Sequence, residues 1–204
     1  TISAKGKNRL DFKDYKSGLI SGEYYLEDIP EVKEMADIEI LQIDNISSTD
    51  INSKHWLVLK EKLEFFLNEM DFDGAVITHG TNTLEETAYF LHLTLNSSKP
   101  VVLVGSQRPY TAISSDAQLN LIHAIRVAIH PDSVGKGVLV AFNNKIHSAR
   151  EVTKTDTYDV ETFESGKAGV LGFIDANHEV IYYRDVTRLH TTESEFSKMK
   201  INTL

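Results

Sequence analysis

The chain has 204 residues, no cysteine, and 21 Lys and Arg against 30 Asp and Glu, a formal charge of −9. One domain with a real core fits that length, and the missing thiols exclude a disulfide framework, a thiolate metal site and a cysteine nucleophile. The acidic balance argues against a nucleic-acid surface, and no apolar run nears the ~20 residues of a membrane span.

Residues 1–22 are polar and rich in Gly, Lys and Ser, and they read as a mobile loop. A short helix is expected over about 23–35. Ile38 to Ile43 alternates roughly as a strand. Asp50 to Met70 has helical spacing, with Trp56, Leu59, Leu63, Phe66, Leu67 and Met70 on one face. Gly74 to Thr78 reads as a short buried strand before a glycine turn. Thr83-Leu84-Glu85-Glu86 reads as a capping box opening a helix to about Leu95. Pro100 to Gly105 is a second buried strand. Ser114 to His130 is helical, with Leu119, Leu121, Ile122, Ile125 and Ile129 available for packing. Gly137 to Phe142 is a further strand, and after Asn143 short strands and turns take over, Ile181 to Tyr183 among them. Residues 185–204 are polar and read as a linker or edge. Buried strands alternating with amphipathic helices indicate an α/β fold with a parallel sheet.

In such sheets ligands bind beyond the carboxyl ends of the strands. Three strand-to-helix turns are rich in hydroxyl groups: 45–50, 78–83 and 105–111. Helix capping alone explains the residue types of any one of them; three on one sheet edge suggest a site for a carboxylate or oxyanion. Lys154 lies among hydroxyl residues and could accept a proton if buried and neutral, although a solvated surface lysine is the simpler reading of its spacing. The eight histidines show no metal-ligand spacing. His79 suits packing or a backbone bond, and His123 and His130 suit structural roles. No nucleophile elbow, Walker loop or dinucleotide fingerprint occurs.

Thr78-His79-Gly80-Thr81-Asn82-Thr83-Leu84-Glu85-Glu86-Thr87-Ala88 resembles the second signature of the bacterial-type L-asparaginase family. Lys99-Pro100, Arg108-Pro109, Asn120-Leu121 and Val152-Thr153-Lys154-Thr155 follow in the family's order, and Ser48 and Asp50 match upstream. The Val-Thr-Lys-Thr segment looks like the type II branch. The resemblance implies a three-layer Rossmann-like sandwich, a mostly parallel sheet with helices on both faces. It also implies hydrolysis of the side-chain amide of asparagine, or of a related small amide, through a threonine acyl-enzyme. No metal and no organic cofactor are implied. Nothing suggests a nucleic-acid or membrane partner.

By the same resemblance Thr1 matches the nucleophile, as the last threonine of a first signature whose strand and two glycines are missing here. Tyr15 matches a lid tyrosine. Ser48 matches the residue that binds the substrate carboxylate, and Thr49 stands where Gln is usual. Thr81 and Lys154 match a proton-transfer pair. Ser106 stands where a backbone carbonyl meets the substrate amide. Asn82 is the departure: the family has Asp, whose charge pairs with the substrate ammonium. A neutral Asn implies weaker binding of a free amino acid, or a substrate without that ammonium, unless a nearby carboxylate compensates.

The resemblance further implies that 1–184 is the larger, N-terminal domain, with 1–22 as its lid, 185–204 as interdomain linker, and a second domain beyond. It implies a homo-oligomer, a dimer or tetramer, and the absent cysteines favour the cytoplasm. Two other readings compete. One takes Thr1 as an N-terminal nucleophile using its own amine. The other is a binding module that holds a small carboxylate without turnover.

Overall fold

The protein is described from a computed structural model. The structure describes residues 2–187. Thr1 and most of the expected linker, 188–204, lie outside the described residues.

Three strands form the spine of the sheet: β1 (Ala75–Thr78), β2 (Val101–Val104) and β3 (Val138–Phe142). They pair in parallel, Ala75 beside Val101 and Val101 beside Val138. Every residue of β2 and β3 is buried, as continuous apolar runs require when both faces are covered. Asn143 and Asn144 then both take positive φ, 47° and 63°, the two-residue turn that suits a hairpin. The chain returns antiparallel as β4 (Lys145–Ser148) and the sheet continues through β7 (Gly172–Ile174) and β8 (Val180–Tyr182). The order is β1-β2-β3-β4-β7-β8. Four of the six strands, β1, β2, β3 and β7, therefore run the same way. A separate hairpin pairs β5 (Thr153–Lys154) with β6 (Phe163–Glu164).

Alternation along the strands splits the core into two layers. Val102, Val104, Leu139 and Ala141 pack with α5 (Ala117–Ile129) and with Tyr25 and Val32, from α1 (Gly22–Asp28) and α2 (Val32–Met35). Val101, Leu103, Val138, Val140 and Phe142 pack on the other face with α3 (Ser53–Glu64), α4 (Leu84–Thr94) and Phe163 of β6. Helices thus cover both faces, and each fully buried Val or Leu contributes about 1.5–3 kcal/mol.

Several elements differ from the sequence expectation. The helix expected over 23–35 is two helices, because Pro30 cannot continue the first. Ile38 to Ile43 joins no ladder, since an alternating segment is a strand only where a partner lies beside it. Leu41 and Ile43 remain exposed at 49% and 39%. The helix expected to Met70 leaves α-geometry at Phe65, closes in a π-turn to Glu69, and leaves Met70 exposed. That helix is capped by Asn52 and His55: the Asn52 side chain accepts from Lys54 N at 3.0 Å, and His55 Nδ1 accepts from Asn52 N at 3.2 Å. The capping box expected at Thr83 is not made, because the Thr83 hydroxyl donates to the Ser48 carbonyl instead, at 2.6 Å. The helix expected from Ser114 begins at Ala117, after Ser114 takes φ 54°. Its Leu119 and Ile129 face solvent, and Ala117, Ala124 and Val127 face the sheet.

Three histidines are buried neutral. Burial pulls His79, His123 and His147 each down to about 4 from the usual 6.5. Between those values the unfolded chain takes up protons that the folded one refuses. Stability is full above pH 6.5 and falls as pH drops towards 4. Thermal melts should show Tm lower by on the order of 10 °C at pH 5 than at pH 7; a flat profile would contradict neutral burial.

Candidate functional site

The parallel register ends β1 and β2 at one edge of the sheet, and the turns that follow them converge there. After Thr78 the chain runs His79-Gly80-Thr81-Asn82-Thr83 into α4. His79 N donates to Val104 O at 2.8 Å, which prolongs the ladder by one residue. The buried ring is held at both nitrogens. Its Nδ1 donates to Gly80 O at 2.7 Å. Its Nε2 accepts from the Thr87 hydroxyl at 3.0 Å, and that hydroxyl accepts in turn from Trp56 Nε1 at 2.8 Å. The ring bonds backbone, as its position after a buried strand suggests.

Gly80 lies hard against Ser48. A Cβ there would stand 2.7 Å from Ser48 Oγ and 2.9 Å from Ser48 Cβ. With the Thr83 bond to Ser48 O, this clasps the turn Ser48–Asp50 from two sides. Ser47 and Thr49 bond each other at 2.9 Å through their hydroxyls.

The N-terminal segment closes over this edge. Lys5 and Lys16 exchange backbone bonds of 2.9 and 3.0 Å, and Leu19 N donates to Ser3 O at 2.9 Å. Gly18, at φ 70°, sits against the Asn45 carbonyl, where a Cβ would come within 2.6 Å. Ile2, Ala4 and Ile20 of this segment are themselves buried, Ile2 and Ile20 in the core, so the loop expected to be mobile over 1–22 is packed down near both ends and exposed only between them. The result is a cleft lined by Ser3, Tyr15 and Ser17 above, Ile46, Ser47 and Ser48 on one side, and Gly80, Thr81 and Asn82 on the other. Burial raises the Tyr15 hydroxyl above its usual value.

Lys154 arrives from the β5–β6 hairpin. Its Nζ donates to the buried Thr81 hydroxyl at 2.8 Å. Burial lowers its pKa, against the pull of Asp156 and Glu85. A lysine so placed exchanges a proton with a hydroxyl more readily than a solvated one. The simpler expectation, a solvated surface lysine, is therefore overturned.

Of the residues singled out from sequence, Tyr15, Ser48, Thr81 and Asn82 line one cleft, and Lys154 joins it through Thr81. Thr49 is exposed beside it and not in its lining. Ser106 is fully buried outside the lining, and its hydroxyl donates to Arg108 O at 2.6 Å. The preceding Gly105 touches Thr81: a Cβ there would meet Thr81 Cγ2 at 3.2 Å. Thr1 lies outside the described residues. Among the described residues no group of three or more His, Cys, Asp or Glu could hold a metal ion.

A family model described as Asparaginase, N-terminal, matches residues 1–188. The chain belongs to the asparaginase family. "L-asparaginase 2" of Bacillus subtilis is 44% identical over 204 residues, covering 100% of this chain and 54% of that protein. "Probable L-asparaginase periplasmic" of Haemophilus influenzae is 45% identical over 204 residues, covering 100% of this chain and 57% of that protein. A crystal structure from Campylobacter jejuni, "Probable Cytoplasmic L-asparaginase", matches with TM-score 0.93 at 41% identity, covering 98% of this chain and 61% of that one. The chain thus spans little more than half the length of the asparaginases it matches.

Within this asparaginase-family domain, three supporting groups escaped the sequence reading. Glu85 receives Thr153 and Lys154. Asn120 donates to Gly105 O at 3.1 Å and accepts from Asn143 N at 3.1 Å, tying the end of β2 to the β3–β4 turn. Asp116 accepts from Gln107 N and Arg108 N, both at 2.9 Å. Glu85 and Asn120 lie inside stretches that carried the resemblance, but their partners are distant in sequence. Gly80→Ala should displace Ser48 and cost roughly 1–3 kcal/mol in denaturant unfolding; an unchanged midpoint would refute the contact.

Proposed function

We propose that this chain is the N-terminal domain of an amidohydrolase that releases ammonia from the side-chain amide of L-asparagine, or of a related small amide. The reading rests on one observation above the rest: the 2.8 Å contact between Lys154 Nζ and the Thr81 hydroxyl, at a cleft that also presents Ser48, Asn82 and Tyr15. Family membership and the names of the relatives support it.

In this reading Thr1 is the nucleophile and Tyr15 closes over it. The Thr1 oxygen attacks the amide carbon, the C–N bond breaks, and a water then hydrolyses the acyl-enzyme to the acid and free Thr1. Thr81 and Lys154 pass the proton. Burial makes Lys154 neutral more readily than a solvated lysine; in that form it takes the Thr81 proton as Thr81 takes that of Thr1, and the proton passes to the amide nitrogen as its C–N bond breaks and ammonia leaves. Ser48, with Thr49 beside it, receives the substrate carboxylate; Ser106 is fully buried outside the cleft lining, so the amide contact expected of its carbonyl is no part of this reading. Residues 1–184 form the α/β domain, with 1–22 as its lid, and 185–204 lead to a second domain; β8 ends the sheet just before that boundary. The enzyme is a homo-oligomer. Relatives are named for both the cytoplasm and the periplasm, and we take the cytoplasm from the absence of cysteine.

Asn82 sets the preference among amides. Among the described residues lining the cleft none is acidic, and the nearby Glu85 is bound to Thr153 and Lys154. Among the described residues no carboxylate in the cleft takes the place of the family Asp, so on this chain a substrate ammonium meets the neutral Asn82 amide.

Three measurements test these statements on the protein in its full natural length. Lys154→Met should cut ammonia release from asparagine by ~100-fold or more with little change in Tm; retained turnover would remove Lys154 from the mechanism. Absence of ammonia release from asparagine, glutamine and related amides by the wild type would leave only a carboxylate-binding module. Asn82→Asp should raise kcat/KM for asparagine roughly tenfold, the worth of ~1.4 kcal/mol, and should gain nothing on an amide lacking the ammonium. Equal response on both substrates would sink the charge argument.

A further inference from the structure

Glu85 stands in the first turn of α4, four residues after Thr81. The sequence suggests a capping role for this turn, yet Thr83 makes no side-chain cap and the Glu85 carboxylate points across to the β5–β6 hairpin. One oxygen accepts from the Thr153 hydroxyl at 3.0 Å; the other accepts from Lys154 N. These two bonds fix the backbone of the residue whose Nζ reaches back to Thr81. The loop from Thr81 to Glu85 to Lys154 and back to Thr81 is closed by hydrogen bonds between residues 69 and 73 positions apart in the chain.

We propose that Glu85 is a positioning residue for the proton-transfer pair: it holds Lys154 on Thr81 and, through its charge, sets how readily Lys154 gives up its proton. The inference rests on the function proposed above for that pair. β5 has only two residues and one partner strand, so a hairpin that short needs an outside anchor to hold a side chain within hydrogen-bond distance. A carboxylate is suited to this, because it accepts from two donors at once and its bonds to them are charge-assisted. Two charges act on Lys154, Glu85 from α4 and Asp156 from its own loop, and both favour the ammonium; burial opposes them. Asp156 is exposed and its carboxylate is held by the backbone N–H of Tyr158 and Asp159. Glu85 is the one of the two that also bonds the lysine's own backbone.

The test separates charge from reach. Glu85→Gln keeps the length and removes the charge; Glu85→Asp keeps the charge and shortens the arm. The Lys154 ε-methylene is followed by NMR through a pH titration, and the Lys154 amide by hydrogen exchange. In Glu85→Gln the Lys154 titration should move down by about one pH unit. If the protein turns over asparagine, the acid limb of kcat should move the same way, to lower pH, with KM within about twofold. In Glu85→Asp the titration should stay near that of the wild type, while the Lys154 amide exchanges faster. An unmoved titration in a folded Glu85→Gln protein overturns the proposal. If Glu85→Gln does not fold, unchanged amide exchange in Glu85→Asp overturns it instead. A shifted titration in a protein without turnover upholds the Glu85 coupling and defeats the hydrolase reading, so the two failures are distinguishable.

Discussion

The parallel pairing of β1, β2 and β3 is the constraint on which the rest depends. Parallel strands send their carboxyl ends to one edge, and whatever follows each strand must begin there. The turns 78–83 and 105–111 meet for this reason and not because they attract one another. Their meeting is then tightened by contacts that tolerate little extra volume. Gly80 has no Cβ and so admits Ser48; Gly105 has none and so admits Thr81. The buried strands supply the free energy, and the glycines convert it into a cleft of defined shape.

The helices contribute order in a different way. Asn120 reaches from α5 to both the end of β2 and the β3–β4 turn, and Thr87 of α4 carries the hydrogen bond from Trp56 of α3 to the His79 ring. Each ties a helix to a strand terminus through a polar group that is buried and satisfied, the arrangement in which polar groups add specificity without an unpaired penalty. The cleft is therefore held from below by polar ties as well as by packing.

Much of this was legible in the sequence because its signals are local. Buried runs such as Val101 to Val104 declare themselves, and the stretch from Thr78 to Ala88 named the family and the cleft at once. What was not legible depended on partners far along the chain. Ile38 to Ile43 alternates like a strand, but alternation does not say whether a neighbour is present. Thr83 has the residue type and spacing of a cap, and its hydroxyl went to Ser48, 35 positions away. Lys154 reads as a solvated lysine until the hairpin places it on Thr81. At Thr83 a local capping preference of about 1 kcal/mol was outweighed by a tertiary contact, and in all three cases the presence or absence of a distant partner is what spacing cannot reveal.

The glycine contacts also bear on how such a cleft can change over generations. At Gly105 any side chain would press on the His79 carbonyl at 2.8 Å and on Thr81, so that position offers little for selection to explore. Thr49 and Asn82 sit at the same edge with their side chains exposed, where a new residue meets water and not backbone. Room for a different side chain is thus found at the rim of the cleft and not at its glycine floor, and Asn82 lies in that permissive zone.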